Sequence, residues 1–279
     1  MIQRIIWGTG GAFLLFGLIW AGQIYYTLAI GVLVVLAVLE YADLLKRQNF
    51  RPQTEVMLFI SLALLALVHV TANRYGPDPQ ESLRICERLL TIGLIVAFVI
   101  NFFIELLRGD PENGLVNAAI NLFGTVYIGF MFAYILLLRF IPGSDGLLFT
   151  LFTVLVTWAN DTAAYFVGIN FGKHKLSPRI SPKKSVEGSI GGIIGGIAAS
   201  LLIAAISHRS FLQLMIMGIL VVIAGQFGDL IESIIKRNAG VKDSGSFMPG
   251  HGGVLDRFDS LLIAGPLVYY LVTYSKPYF

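Results

Sequence analysis

The chain contains a run of 35 residues, from Ile5 to Leu39, without a charged side chain. Crossing the ~30 Å hydrocarbon core of a bilayer takes about 20 apolar residues in a helix. The run is therefore too long for one membrane-spanning helix and suits two, with a break near Gly22 and Gln23. A signal peptide does not explain it, because the apolar stretch is too long and more such stretches follow at once.

The rest of the 279-residue chain is similar, since 56% of all residues are hydrophobic and 13% are charged. Soluble domains carry about 25% charged residues, so this composition argues against a soluble enzyme, a disordered chain and a collagen-like fibre. The apolar stretches are continuous rather than alternating, which argues against a membrane β-barrel. We predict an all-α polytopic integral membrane protein with about nine transmembrane helices in a single domain over residues 1–279. Beyond the first two, the predicted spans are roughly 56–73, 89–107, 114–138, 146–168, 188–207, 211–235 and 259–275.

Positive charge is divided unevenly between the two predicted sides of the membrane. Of the 20 Lys and Arg residues, 14 lie on the side of the N-terminus and 6 on the other. The positive-inside rule therefore places the N-terminus, the large polar loops and the active site in the cytoplasm. We expect a multi-pass protein of the cell (inner or plasma) membrane. The net charge of +3 gives no reason to expect nucleic acid as a partner.

Polar residues are distributed differently in the two halves of the chain. Up to about residue 150 they lie mostly in short connections, such as 74–88, which contains the single cysteine, Cys86. One cysteine excludes an internal disulfide and a multi-cysteine metal site. Beyond residue 150 the polar residues form clusters at 158–165, 172–188 and 228–260. We expect the half from about 151 to 279 to carry the chemistry, although a loop that obeys the positive-inside rule explains the basic charge of the second cluster equally well.

Ionisable residues inside an apolar span are functional candidates, because placing them there costs free energy. Asp229, Glu232, Ser233, Lys236 and Arg237 follow 19 uncharged residues and recur at the spacing of one helix face. This face presents acidic groups near the membrane and basic groups beyond it. The alternative explanation for Glu232 and Lys236 is an ion pair within the helix.

Two more carboxylates, Asp256 and Asp259, lie three residues apart at the start of the last predicted span, so they can share a helix face. With Asp229 they would form an all-oxygen site of the kind that Mg²⁺ prefers. A helix N-terminus enriched in acidic residues is the alternative. That alternative explains one aspartate well and the whole cluster poorly.

A polar, glycine-rich loop connects these two helices. Its backbone amides can bind anions, and its glycines permit a close approach to a ligand. His251, flanked by glycines, has no evident core to join, so contact with a phosphate explains it better than burial does. No GxxxxGK[ST] motif is present, which excludes a P-loop mechanism. The nearby cations suited to phosphate are Lys236, Arg237, Lys242 and Arg257. These residues indicate Mg²⁺-dependent phosphoryl or nucleotidyl chemistry on a membrane-embedded substrate.

A resemblance to a known family covers roughly residues 155–265. Its most specific part runs over 27 residues and reads SIIKR, KD, P, HGG and DRFD, from Ser233 to Asp259. Upstream, Asp161, the SPKKS sequence of 181–185 and the following Glu-Gly also match. Met248 stands where the family usually has Leu, Ile or Phe. In this pattern the chain resembles the phosphatidate cytidylyltransferases, also called CDP-diacylglycerol synthases.

This resemblance implies the reaction of CTP with phosphatidate to give CDP-diacylglycerol and pyrophosphate. It implies that Mg²⁺, and any second cation, is bound by Asp229, Asp256 and Asp259. The catalytic residues that it implies are Lys236, Arg237, Lys242, Asp243, His251 and Arg257. Asp243 would be a fourth metal ligand, and the others would hold phosphates. The residues that would complete the site for CTP or the lipid headgroup are Asp161, Ser181, Lys183 and Lys184.

Three other functions fit the sequence less well. A CTP-dependent polyprenol or dolichol-type lipid kinase would move the γ-phosphate to an alcohol, but the complete KD, HGG and DRFD pattern favours the cytidylyltransferase. A CDP-alcohol phosphotransferase would need a DGxxAR sequence, which is absent. An ion-coupled transporter would use Asp161 and Asp229 as ion sites, yet the polar clusters occur in one half only. Glycines spaced by four in 188–207 suit close helix packing, either within the chain or in a homodimer.

Overall fold

The computed structural model describes residues 2–74, 79–245 and 252–274, which are helical apart from connections and one short hairpin. The first helices are α1 (Ile2–Ala21), α2 (Gln23–Arg47), α3 (Thr54–Arg74), α4 (Pro79–Arg108), α5 (Gly114–Gly124), α6 (Met131–Arg139) and α7 (Asp145–Phe171). A π-helical turn, Thr125–Phe130, joins α5 to α6. The hairpin and last helices are β1 (Lys175–Ser177), β2 (Ser181–Ser185), α8 (Val186–Ser207), α9 (Phe211–Asn238) and α10 (Leu255–Tyr274).

Seven helical segments among the described residues are long and apolar enough to cross a membrane. They are α2, α3, α4, the continuous segment α5–α6, α7, α8 and α9. The predicted all-α architecture with several potential membrane spans is therefore confirmed. The other two predicted spans coincide with α1 and α10, and a total of nine crossings stays a prediction.

The predicted break in the long uncharged run is confirmed, because α1 ends at Ala21 and α2 begins at Gln23. Gly22 between them has a φ of 63°, a left-handed conformation that glycine adopts at little cost. Arg139, at the end of α6, donates a 2.8 Å hydrogen bond from Nε to the carbonyl of Ile19. This contact satisfies one of the carbonyl groups that a helix end leaves without a partner.

Buried apolar side chains form one core that includes residues of α2, α3, α6, α7, α9 and α10. Phe132, Phe149 and Tyr269 are among its largest fully buried members. Large apolar side chains also lie on the outside, such as Phe59 at 73% and Leu106 at 75% exposure. Surfaces of this kind are stable against lipid and are rare on proteins that face water.

Glycines on α8 allow this helix to lie close to its neighbours. A Cβ atom on Gly191 would overlap the side chain of Val167 on α7, and one on Gly196 would overlap Val222 on α9. Small residues permit such approaches between membrane helices. Of the two interpretations of the glycine spacing, the structure supports packing within the chain, whereas a homodimer stays a prediction.

The connection expected over residues 74–88 was largely wrong, since α4 begins at Pro79. Cys86 lies within this helix and is fully buried, with its thiol 4.0 Å from the carbonyl of Val68. Leu83 and Leu90 are buried on the same side of α4. Apolar residues at helical spacing stabilise this amphipathic turn, and a search for uncharged runs overlooks such a pattern.

Candidate active site

A cavity of about 550 Å³ lies between α7, α8, α9 and the β1–β2 hairpin. Three residues predicted to bind substrate, Asp161, Lys183 and Lys184, line it together with the predicted metal ligand Asp229. Another part of the lining is apolar and includes Ile169, which is 64% exposed at the surface of α7. Charged and apolar walls in one cavity suit a ligand that has an ionic headgroup and a hydrocarbon part.

Uncharged polar side chains connect three helices beside this cavity. Gln226 on α9 donates hydrogen bonds to Asn160 Oδ1 at 2.9 Å and to the carbonyl of Ser189 at 3.1 Å. Asn160 donates in turn to Asp161 Oδ1 at 2.8 Å. Gly192 on α8 leaves room for this network, because a Cβ atom there would overlap Asn160 Oδ1. A satisfied network in a low-dielectric region fixes the position of the Asp161 carboxylate.

The basic cluster over 172–188 folds as an antiparallel hairpin, in which Lys175 pairs with Ser185 and Ser177 pairs with Ser181. Ser185 also caps α8, since its Oγ accepts a 3.1 Å hydrogen bond from the amide of Gly188. Serine is a favourable N-cap residue because it satisfies an amide that the helix leaves open. Ser181, predicted to bind substrate, lies in the hairpin and does not belong to the described lining of the cavity.

Lys184 forms an ion pair with Asp229, which connects the hairpin to α9. Each of the two side chains keeps 29% exposure, so a ligand in the cavity can reach both. Asp161 and Asp259 interact electrostatically with the same pair. Three carboxylates close to one ammonium group leave an excess of negative charge, and this excess favours a bound cation.

Asp229, Glu232 and Asp259 form a compact acidic group, with one oxygen of each residue within 4.8 Å of the others. Glu232 is 1% exposed, and its Oε1 has no hydrogen-bond partner among the described residues. Its Oε2 pairs with Lys236 Nζ, so the ion pair within the helix that was predicted as the alternative is present. Burying a carboxylate without hydrogen-bond donors is costly. An acidic group that holds an unpaired, buried carboxylate oxygen therefore fits an oxygen-coordinated divalent cation.

Tyr127 contributes to the same region from the first half of the chain. It lies in the π-helical turn, is 2% exposed, and its hydroxyl has no hydrogen-bond partner in the described parts of the chain. The residue interacts electrostatically with Asp229, Glu232 and Asp259. A buried hydroxyl from the first half of the chain therefore lies within electrostatic range of the acidic group, and π-helical turns frequently occur at functional sites.

Asp256, the third predicted metal ligand, is occupied by donors of the protein itself. Its Oδ1 accepts a 2.6 Å hydrogen bond from Lys236 Nζ, and its Oδ2 accepts 2.8 Å hydrogen bonds from the amides of Ser244 and Gly253. Lys236 pairs with Glu232 as well, so it connects Asp256 to the acidic group. To bind a metal ion, Asp256 would have to exchange these contacts for the ion.

The other predicted catalytic residues lie outside the cavity lining that the structure describes. Arg237 donates hydrogen bonds to the carbonyls of Ile180 at 3.1 Å and Val241 at 2.8 Å, so it holds the turn of the hairpin against the end of α9. His251 lies outside the described residues. The exposed members of the set are Arg237, Lys242, Asp243 and Arg257.

Several functional candidates were missed from the sequence. Asn160 and Gln226 were detectable, because polar side chains within apolar spans are expensive. Glu40 is the first charged residue after the long uncharged run, and it contacts the start of α10. Nothing local indicates that Tyr127 approaches residues that follow it by a hundred positions, since only tertiary packing brings them together.

These features define a polytopic membrane protein with a charged and apolar cavity next to a buried acidic group. Among known families, the model of the cytidylyltransferase family matches residues 2–275. The chain therefore belongs to the cytidylyltransferase family, as the sequence resemblance predicted.

Similar proteins agree with this assignment over nearly the whole chain. The phosphatidate cytidylyltransferase of Bacillus subtilis is 32% identical over 276 residues, which cover 98% of this chain and 97% of that protein. The phosphatidate cytidylyltransferase of Synechocystis sp. is 31% identical over 306 residues, covering 99% and 97%. That of Staphylococcus epidermidis is 35% identical over 193 residues, covering 68% and 72%.

Proposed function

We propose that this protein transfers the cytidylyl group of CTP to phosphatidate, giving CDP-diacylglycerol and pyrophosphate. The observation that carries the proposal is the cavity that is lined both by the charged residues Lys183, Lys184 and Asp229 and by apolar residues. Phosphatidate has a phosphate headgroup and two acyl chains, so each part of the molecule finds a wall of matching chemistry. The relatives named phosphatidate cytidylyltransferase support the same substrate.

The reaction is an in-line displacement at phosphorus. An oxygen of the lipid phosphate attacks the α-phosphorus of CTP, the bond to the oxygen bridging to the β-phosphate breaks, and pyrophosphate leaves with that electron pair. Both reactants are anions that repel each other, so catalysis depends on positioning and on charge stabilisation. Lys183 and Lys184 bring positive charge into the cavity. Asp161, held by Asn160, presents an acceptor for hydroxyl or amino groups of the nucleotide.

Mg²⁺ is the cofactor that fits the acidic group best, and we assign Asp229, Glu232 and Asp259 as the residues that would hold it. Bound there, Mg²⁺ supplies charge neutralisation for the triphosphate and the leaving pyrophosphate. The unpaired Oε1 of the buried Glu232 supports this assignment. Lys236 forms ion pairs with both Glu232 and Asp256, so its ammonium group places a positive charge at the edge of the acidic group.

We further propose that the active site faces the cytoplasm of a cell in whose membrane the chain crosses nine times. Adding α1 and α10 to the seven long apolar helices gives nine crossings. The excess of Lys and Arg on the side of the N-terminus and of the hairpin supports this orientation.

The position of a radioactive label in the product tests the reaction. Protein purified in detergent is incubated with phosphatidate, Mg²⁺ and CTP labelled at either the α- or the γ-phosphorus. We expect the α-label in the lipid fraction and the γ-label in pyrophosphate. A γ-label in lipid, with polyprenol or another lipid alcohol as acceptor, would instead indicate a kinase. No transfer of either label, with solute uptake by vesicles that contain the protein, would indicate a transporter.

A further inference from the structure

The first turn of α10 lacks a local capping side chain. Leu255 is the first residue of this helix and follows Val254, whose side chain has no acceptor atom. The first amides of a helix have no partner within the helix and need an acceptor from elsewhere, for which Ser, Thr, Asp or Asn normally precedes the first turn. The turn that carries Asp256 and leads to Asp259 therefore depends on an acceptor from another part of the chain.

Glu40, near the end of α2, supplies that acceptor. Its Oε1 accepts a 2.7 Å hydrogen bond from the amide of Val254, and its Oε2 accepts a 3.0 Å bond from the amide of Leu255. A carboxylate at a helix N-terminus also interacts favourably with the helix dipole. A residue from the first half of the chain thus caps the helix that carries two of the predicted metal ligands.

Ser244 connects this cap to the carboxylate of Asp256. Its hydroxyl lies 3.0 Å from Glu40 Oε2 and 2.9 Å from Asp256 Oδ2, so its single proton is shared between two carboxylates. The amides of Ser244 and Gly253 donate to Asp256 as well. Glu40 and Asp256 therefore hold Ser244 and the start of α10 in one arrangement.

Two glycines make room for the Glu40 carboxylate. A Cβ atom on Gly245 would lie 2.7 Å from Glu40 Oε1, and one on Gly253 would lie 2.6 Å from Glu40 Cδ. Both distances are too short for a real side chain. The described ends of the connection between α9 and α10, 239–245 and 252–254, therefore lie directly against the carboxylate, and a Cβ atom at either glycine would displace it.

We propose that Glu40 is a positioning residue for the transfer reaction. By capping α10 and sharing the Ser244 proton with Asp256, it fixes the first turn of α10 and so the placement of Asp259 toward Asp229. The inference rests on the proposed function, because it assigns Glu40 a role in the same site. Glu40 acts through Asp256 and α10 and does not itself touch substrate.

The test is the Glu40→Gln variant of the full-length protein, which keeps the shape of the side chain but turns an NH₂ group toward amide donors. Residues that orient metal ligands typically change metal affinity or activity by about 10- to 100-fold when replaced. We expect transfer of the α-label to fall within that range and the Mg²⁺ concentration for half-maximal rate to rise. Asp43→Asn is the matched control, because Asp43 lies on the same helix in an exposed ion pair with Arg47. This control should keep wild-type kinetics.

A second variant separates positioning from general stability. Ser244→Ala removes the shared hydroxyl and should shift the Mg²⁺ dependence in the same direction, and the double variant should lose less than the product of the two single effects. Wild-type Mg²⁺ dependence in Glu40→Gln would overturn the proposal, as would equal losses of activity and of thermal stability without that shift. If Glu40→Gln does not accumulate, an unchanged Mg²⁺ dependence in Ser244→Ala would overturn it. Absence of α-label transfer in the wild type and in Asp43→Asn would instead refute the proposed function.

Discussion

At the scale of single residues, one lysine of the cavity lies among several carboxylates. Lys184 pairs with Asp229, and Asp161 and Asp259 interact with the same pair. In a partly buried site of this kind, charges interact more strongly than they do in water. Under the proposed function, a phosphate group of the substrate competes with Asp229 for Lys184, which then stabilises the phosphate charge.

Replacing Lys184 with Met removes this positive charge and keeps most of the side-chain volume. Loss of a single group that stabilises developing charge typically costs about 100- to 1,000-fold in rate. We expect Lys184→Met to lower kcat/KM for α-label transfer by about that factor. Lys175→Met changes an exposed lysine in the facing strand and should stay within twofold of wild type. Equal activity of the two variants would exclude the assigned role of Lys184.

Replacing Asp259 with Asn tests the acidic group. The change removes one of three carboxylates that lie within 4.8 Å of each other, so a divalent cation should bind less tightly. We expect Asp259→Asn to need a higher Mg²⁺ concentration for half-maximal activity and to lose rate even at saturation. Asp145→Asn, which alters an ion pair with Arg209 at the far end of α7, should retain the wild-type Mg²⁺ curve. An unchanged curve for Asp259→Asn would remove Asp259 from the metal ligands.

The charged members of the site were predictable from sequence because charge is conspicuous in an apolar chain. Asp161, Lys184 and Asp229 line one cavity, and their roles in binding and catalysis stay predictions. For Glu232, the sequence could not distinguish a residue of the acidic site from a partner of Lys236 in an ion pair, since both interpretations predict the same helical spacing. Contacts over long sequence distance, such as that of Tyr127, leave no local pattern to detect.

At the scale of elements, the cavity depends on how closely α8 lies against α7 and α9. Glycines at its contact surface permit this approach, and the network of Asn160, Gln226 and Ser189 occupies the space between the three helices. The hairpin then covers one side, because Ser185 both ends β2 and caps α8. Helix packing therefore determines the position of the charged residues.

Gly192→Ala tests this packing. A methyl group there would overlap Asn160 Oδ1 and come within 3.2 Å of Ala164 Cβ. Overpacking of this kind typically costs about 1–3 kcal/mol. We expect a lower thermal unfolding midpoint in detergent together with reduced activity. Gly17→Ala, with no atom within 4 Å of the added methyl group, should leave both unchanged. Equal unfolding midpoints for the two variants would show that α8 does not pack as described.

The elements themselves were largely predictable, because apolar runs of sufficient length fix where helices lie. The break at Gly22 followed from the length of the uncharged run alone. The hairpin was not predictable, since a short polar sequence with three lysines carries no alternating apolar pattern and satisfies the positive-inside rule equally well as a loop. The early start of α4 was missed because its amphipathic first turns contain charged residues.

At the scale of the whole molecule, the two halves of the chain contribute to one site. The C-terminal half supplies the cavity and the acidic group, while Tyr127 and Glu40 reach the same region from the N-terminal half. The candidate site is therefore not confined to the second half of the chain, although the polar clusters of the sequence lie there.

Cysteine labelling tests the orientation in the membrane. The native Cys86 is fully buried, so single exposed cysteines can be labelled over a low background. With nine crossings and a cytoplasmic N-terminus, Glu112→Cys in the turn after α4 should lie inside and Ser144→Cys before α7 outside. A membrane-impermeant maleimide should therefore modify Ser144→Cys in intact cells and Glu112→Cys only in inverted vesicles. The reverse pattern would contradict the orientation, and labelling of both from one side would contradict the number of crossings.

The most direct test of the central claim, that cytidylyl transfer takes place in the cavity between α7, α8 and α9, is the activity of the Ala164→Cys variant after modification by a maleimide. Ala164 lines the cavity one helical turn from Asp161. We predict that modification abolishes transfer of the α-label, while modified Ser144→Cys keeps full activity. We also predict that CTP with Mg²⁺ slows the modification of Ala164→Cys. Complete modification of Ala164→Cys with unchanged transfer of the α-label would contradict the claim.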